Sequence, residues 1–279
     1  PRARACSFVL LAPRLSVASC PWRRLAPQSA GHRTEAVIDA INNKRRTVID
    51  VKAGPVKIAA TIVTISSGGS VGIEGPCAQI GSGVSYVIGK IFNLDESDLK
   101  KVIICGIAAG FCAVFSTPVT GAIFAVEVLF VGQIFYDVLF PSLISGIVGY
   151  FTAAAMGAGH GVNIAVAVPE LGPWALAASL LGGIFFGVIA IANIEGIHLA
   201  QKTFARFGVT GWKRPVAGAA LLLAIGLLFG GEFLGLGSDT TWAMVAGEES
   251  LPLGFAVEIA AMGITPAGGG WGGGTPPTT

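Results

Sequence analysis

Residues 68–81 read GGSVGIEGPCAQIG. The stretch sets one carboxylate, Glu74, inside a glycine-rich turn of an apolar chain, with Gly75 and Pro76 directly after it. A helix-forming run begins there. Proline is accommodated in the first turn of a helix. The first N–H groups of a helix have no intrahelical partner and sit at the positive end of its dipole. A buried acid at such a helix start, flanked by glycines that bare the backbone, predicts an anion site with a built-in plug.

Bulk properties set the class. The chain has 279 residues, of which 53% are hydrophobic and 12% charged, with a mean hydropathy of +0.73. Soluble domains carry about 25% charged residues, so this composition predicts a membrane protein. The 40 glycines exceed the usual share of about 7%, and membrane helices use small residues for close packing. A net charge of +2 argues against a nucleic-acid partner. Cys6, Cys20, Cys77, Cys105 and Cys112 show no metal-ligand spacing, and the last three read as small buried apolar residues.

The first 28 residues are set apart as an unassigned leader, non-native or disordered. Over the first 35 residues, Arg2, Arg4, Arg14, Arg23, Arg24 and Arg33 precede the first acid, Glu35, the composition of a transit peptide, but the chain begins at Pro1 and reads as a fragment. Beyond it, apolar segments alternate with short polar turns. Helices are expected near 36–43, 54–66, 76–92, 97–115, 118–130, 136–156, 172–205, 214–234 and 251–263. A full span takes about 20 apolar residues. Several segments are shorter or broken by glycine or proline, as where backbone lines a cavity within a membrane protein. Lys44, Arg45, Arg46, Lys52 and Lys57, and later Lys202, Arg206, Lys213 and Arg214, mark two cytoplasmic loops by the positive-inside rule. Loop 90–101 mixes both signs and decides nothing. Gly106–Gly110, Gly183–Gly187 and Gly226–Gly230 have the small-residue spacing of close helix packing.

A charge at the bilayer centre costs roughly 2.5–3.5 kcal/mol on insertion scales, and a helix N-terminus returns at most about 2 kcal/mol. A buried Glu74 is therefore expected to protonate more easily than a surface acid. The N–H groups around Ile73, Glu74 and Gly75 suit any anion, so Glu74 competes with a passing anion and protonation releases the site. The alternative is a structural cap that only satisfies backbone donors. A second turn, Phe115-Ser116-Thr117-Pro118, leads into Val119–Phe130, with Thr117 as N-cap and Pro118 at the first helical position. Glu127, on that apolar helix, is either a proton relay or a packed, hydrogen-bonded structural acid.

These residues resemble the ClC family of chloride channels and chloride/proton exchangers. GGSVGIEGPCAQIG looks like its signature of a glycine, a basic residue and Glu-Gly-Pro. The later segment CGIAAGFCAVFSTPVTGAIFAVEVLF (105–130) is similar to the next family segment, at the right distance. A weaker match runs from about residue 31 to the C-terminus. The resemblance implies an all-α membrane protein. Its broken and tilted transmembrane helices would form inverted repeats, with residues 29–279 as a partial transmembrane domain lacking most of the family's second half. It further implies a homodimer in a lipid bilayer, one pore per subunit and chloride or a similar small anion as cargo, with no cofactor. Glu74 matches the gating glutamate, and the backbone of Ile73, Glu74 and Gly75 matches the amides lining the external anion site. Ile73 departs from the family, which usually has Arg or Lys there, and loses a charge that attracts anions to the entrance. Glu127 matches an acid common in the family. Val128 stands where proton-coupled exchangers carry an internal glutamate, and valine cannot carry a proton, which favours a channel.

Two further motifs are blurred. A serine contributed to the central anion should fall near Ala30–Thr34, where Gly31 or His32 takes its place depending on register. A glycine-rich motif ending in Phe-x-Pro should fall near Gly268–Pro277. There AGGGWGGGTPP keeps the glycines and prolines without phenylalanine, placing Gly274 and Thr275 on the anion pathway. Its position suits a second helix start facing the first.

Other chemistry finds no support. Glu195 and His198 make one Glu-x-x-His pair where a di-metal bundle needs two, and His160 has no acidic or cysteine partner at ligand spacing. Asn193 and Glu195 interrupt an apolar helix and are expected to face protein or its aqueous end. No phosphate loop, nucleotide fingerprint or nucleophile elbow is present, so an enzyme is not expected. The sequence therefore predicts a gated channel for small anions, with a chloride/proton exchanger and a non-conducting membrane scaffold as the alternatives.

Overall fold

The computed structural model describes residues 49, 52–127, 136–158, 172–209, 213–230, 233–237, 247 and 254–270. Among them are eight helices: α1 Ala53–Ser66, α2 Glu74–Ile91, α3 Glu96–Phe115, α4 Pro118–Glu127, α5 Tyr136–Ala155, α6 Pro173–Arg206, α7 Lys213–Leu228 and α8 Gly254–Ala267. Each expected helix from 54 onward is present; the one at 36–43 lies outside the described residues. The all-α membrane architecture expected from the sequence is the one observed.

Boundaries differ where glycine and proline were read too strictly. α2 starts at Glu74 rather than residue 76, because the Cys77 N–H closes the first turn onto Ile73 O at 3.0 Å. α7 ends at Leu228, short of 234, and Gly230 with φ +106 turns the chain away. α8 continues past Gly263 through Pro266, and the Gly268 N–H still reaches Ile264 O at 2.8 Å.

α3 is the central helix of the first half. Asp95 caps it, accepting the Asp98 N–H at 2.8 Å, a geometry that satisfies one orphan donor. Leu99, Ile103, Ile104, Ile107 and Ala108 of α3 pack with Ala78 of α2, Ala125 and Val126 of α4, and Val138 of α5. The α2–α3 crossing is a backbone contact. A Cβ at Gly81 would strike Gly106 O, and one at Gly110 would lie 2.5 Å from Cys77 O. Gly106–Gly110 is thus the close-packing motif the spacing predicts. At Gly183 and Gly187 a Cβ meets nothing within 4 Å among the described residues. Cys112 is buried where α3, α4 and α5 meet, with Gly121 and Gly146 directly against its sulfur. Cys77, Cys105 and Cys112 are all free thiols.

The second half has a smaller core of Ala219 and Leu222 on α7 with Ala261 on α8. α6 packs across α8, where the Asn193 amide donates to Met262 Sδ at 3.6 Å; Asn193 therefore faces protein, whereas Glu195 is exposed.

α5 and α6 are long and apolar enough to cross a membrane. Leu180, Leu181, Ile184, Phe185, Phe186 and Val188 of α6 are all exposed. An apolar helix surface that the described residues leave uncovered needs a non-aqueous surrounding, and the chain is an integral membrane protein.

α1 and α8 end alike. The Gly68 N–H bonds Ile65 O at 2.9 Å and the Gly69 N–H bonds Thr64 O at 3.0 Å; the Gly269 N–H bonds Pro266 O at 3.0 Å and the Gly270 N–H bonds Thr265 O at 2.9 Å. Gly68 (φ +87) and Gly269 (φ +94) take the left-handed position. Both ends are Schellman motifs with threonine at the same place, and the two ends touch.

Candidate functional site

Glu74 is the first residue of α2 and the acid of its first turn, behind an N-cap residue, Ile73, that makes no side-chain cap bond. The N–H groups of Glu74 and Gly75 precede the first intrahelical bond, which Cys77 makes, and Pro76 has no N–H to offer. The Glu74 and Gly75 N–H groups therefore lie at the start of α2, the positive end of its dipole. The Cys77 thiol donates to Glu74 O at 2.9 Å and ties down the first turn.

The Glu74 carboxylate is exposed. The expected burial is not found among the described residues, because the side chain leaves the end of α2 rather than entering the core. It folds back over Gly72, where a Cβ would coincide with its Oε2. Val71 and Ser70, just upstream, are 3% and 2% exposed. The turn is therefore buried on its inner side and exposed at its carboxylate. Ser67 Oγ donates to Thr64 O at 2.8 Å, and the Ser70 N–H donates to Thr265 Oγ1 of α8 at 3.0 Å.

Glu127 is the last described residue of α4 and is exposed. Pro118 opens α4, and Thr117 takes the N-cap role, its carbonyl accepting the Gly121 N–H at 2.8 Å. Gly31, His32, Val128, His160, Gly274 and Thr275 lie outside the described residues. Glu195 and His198 are both exposed on α6. The charges of loop 90–101 are drawn toward one another, Lys101 to Asp98 at 2.8 Å and Lys90 to Glu96 at 3.8 Å.

One residue was misplaced by sequence reasoning. Lys57 was counted with a cytoplasmic loop, but it lies inside α1 and is 1% exposed. An ionisable side chain inside an apolar membrane helix is a functional candidate by default. The signal was Gly54-Pro55, which marks the start of α1 and so puts Lys57 within it.

An open apolar groove of about 500 Å³ lies between α3 and α5, lined by Ala109, Ala113, Val148 and Met156 among others. It has no charged lining and no part of the Glu74 turn.

Residues 15–277 match the family model described as voltage gated chloride channel. A chloride/fluoride channel protein of Pseudomonas syringae pv. tomato is 31% identical over 196 residues, covering 70% of this chain and 43% of that one. An H(+)/Cl(−) exchange transporter of Vibrio vulnificus is 29% identical over 213 residues, covering 74% of this chain and 44% of that one. Among solved structures, a CLC-type fluoride/proton antiporter superposes with a TM-score of 0.81 at 23% identity, over 97% of this chain and 69% of that one. A slow cyanobacterial Cl−/H+ antiporter gives 0.75 at 18% identity, over 96% and 64%. The chain spans about half the length of the curated relatives it matches.

Proposed function

The chain belongs to the voltage gated chloride channel family, and on that premise we propose that it carries the gated half of a pathway for small anions, chloride or fluoride. The carrying observation is the start of α2. Backbone N–H groups of the first helical turn and an exposed carboxylate share one helix terminus, with Gly72 leaving room for the carboxylate beside it. The donors replace water around an anion, and Glu74 occupies the same donors when no anion is there. Protonation removes the competing charge and frees the site. The proposed route passes Ile73, Glu74 and Gly75, with Gly31 or His32 and Gly274 with Thr275 as its further contacts. The active form is a homodimer, as the family resemblance implies, with one pathway per subunit.

We read the transport as channel-type. Val128 cannot hold a proton, and a relative named as a chloride/fluoride channel supports the reading. Proton-coupled exchange is the second reading, favoured by relatives named as exchange transporters; there Glu74 also carries the proton. The test is the zero-current voltage of the full-length protein in proteoliposomes under opposed anion and proton gradients, with Glu74→Gln alongside. A voltage that follows the anion alone, with flux that loses its pH dependence in Glu74→Gln, supports the channel. A voltage that shifts with the proton gradient, abolished in Glu74→Gln, establishes exchange. No anion flux from well-folded protein leaves only the non-conducting scaffold.

A further inference from the structure

We propose that Thr265 is a positioning residue for the Glu74 turn, holding it through Ser70 and so coupling the gate to the end of α8. The inference rests on the reading of Glu74 as the gating carboxylate.

The turn between α1 and α2 is tied to α8 by a hydrogen bond, besides the backbone bridge in which Gly72 takes part. The Ser70 N–H donates to Thr265 Oγ1 at 3.0 Å, across 195 residues of sequence. Both residues are 2% exposed. The Thr265 hydroxyl in turn donates to Ala261 O at 2.8 Å. That bond sends its proton away from Ser70 and turns a lone pair toward the Ser70 N–H. The acceptor is therefore oriented by α8 itself.

The surrounding packing fixes this geometry. A Cβ at Gly69 would lie 2.7 Å from Thr64 Cγ2 and 3.0 Å from Thr265 Cγ2. A Cβ at Gly270 would lie 2.6 Å from Thr265 Cγ2 and 3.2 Å from Thr64 Cγ2. Each helix end thus presses its terminal glycine onto both threonine methyls. The two matched Schellman ends form a clasp, and the Ser70–Thr265 bond is the polar link across it. Ser70 stands four residues before Glu74, with buried Val71 and the Gly72 turn between them. Movement of the α8 end is passed to the place where the carboxylate rests. The same α8 end runs into the glycine-rich segment 268–277, so the clasp joins the two motifs that the sequence assigns to the anion pathway.

The experiment measures initial anion flux against pH for the full-length protein in proteoliposomes. Thr265→Val keeps the side-chain volume and removes the acceptor, leaving a buried N–H unsatisfied. It is expected to displace the pH midpoint of flux and to change flux at the wild-type midpoint about tenfold. Thr265→Ser keeps the hydroxyl and is expected to restore the midpoint. In a Glu74→Gln background, Thr265→Val is expected to add nothing, since the group it positions no longer titrates. If Thr265→Val does not fold, Thr265→Cys, with its weaker sulfur acceptor, reads the same contact and is expected to give an intermediate midpoint. An unshifted midpoint in Thr265→Val or Thr265→Cys, with Glu74→Gln still flattening the profile, overturns the positioning role and leaves the Glu74 reading intact. A profile that Glu74→Gln fails to flatten overturns both.

Discussion

A Cβ at position 72 would fall on the Glu74 carboxylate. The clash is with the far end of a flexible side chain, so Gly72→Ala should cost little stability while moving the carboxylate off its resting place. We expect Gly72→Ala to fold normally and to resemble Glu74→Gln in part, with flux that is larger at neutral pH and less dependent on pH. Anion efflux from proteoliposomes across a pH series checks this, and an unchanged profile would show that the carboxylate rests elsewhere in the working protein. Single residues are also where sequence reasoning was weakest. The helix start beside Glu74 was legible, because the Gly75-Pro76 pair that follows it suits a first helical turn. The exposure of Glu74 was not, since burial depends on what covers the end of α2. Lys57 was misread for the converse reason: a basic residue was assigned to a loop by its neighbours in sequence, while its place in α1 buries it.

At the scale of elements, small-residue spacing named three close-packing pairs, and the structure gives them different roles. Gly106–Gly110 holds α3 against the α2 backbone, whereas Gly183–Gly187 faces open space on α6. Gly110→Val would drive a branched side chain onto Cys77 O, which is backbone and cannot swing away. Overpacking of this kind costs about 1–3 kcal/mol and more where the neighbour cannot yield. Because α2 carries Glu74 at its start, the same substitution is also expected to move the Glu74 turn. Gly183→Val should leave the subunit near wild type. Thermal unfolding of the two variants in detergent, followed by tryptophan fluorescence, checks the contrast; equal stability would mean that the α2–α3 contact is not a tight one. Spacing alone made these pairs equivalent, because i and i+4 place residues on one face without saying what that face meets. Helix positions were legible for a related reason: caps and punctuation are local. The Asp95 cap, Thr117-Pro118 and the glycines after α1 and α8 each act within a turn. The pairing of the α1 and α8 ends was not legible, because it joins Ser70 to Thr265 through the fold.

The described helices are apolar on the outside as well as within, and this separates them from those of a soluble helical protein. α6 has 34 residues and therefore a length of roughly 50 Å, well over the ~30 Å of a hydrocarbon core. Its most apolar window is 0% buried among the described residues. In a soluble protein an exposed isoleucine can be replaced by aspartate at little cost, since the new side chain is hydrated. In a bilayer the same change removes a favourable lipid contact and adds a charge that costs about 2.5–3.5 kcal/mol near the centre. Ile184, 61% exposed on α6, discriminates between the two. Ile184→Asp is expected to lower the ratio of inserted to non-inserted α6 by about a hundredfold, measured by glycosylation of sites flanking the segment in microsomes. Ile197, 5% exposed, sits on the same helix where protein covers it, so the cost of Ile197→Asp should appear in the stability of the folded subunit as well as in insertion. Equal insertion of wild-type and Ile184→Asp segments would place the exposed surface of α6 against water or another protein and would remove the physical basis for reading that surface as lipid-facing.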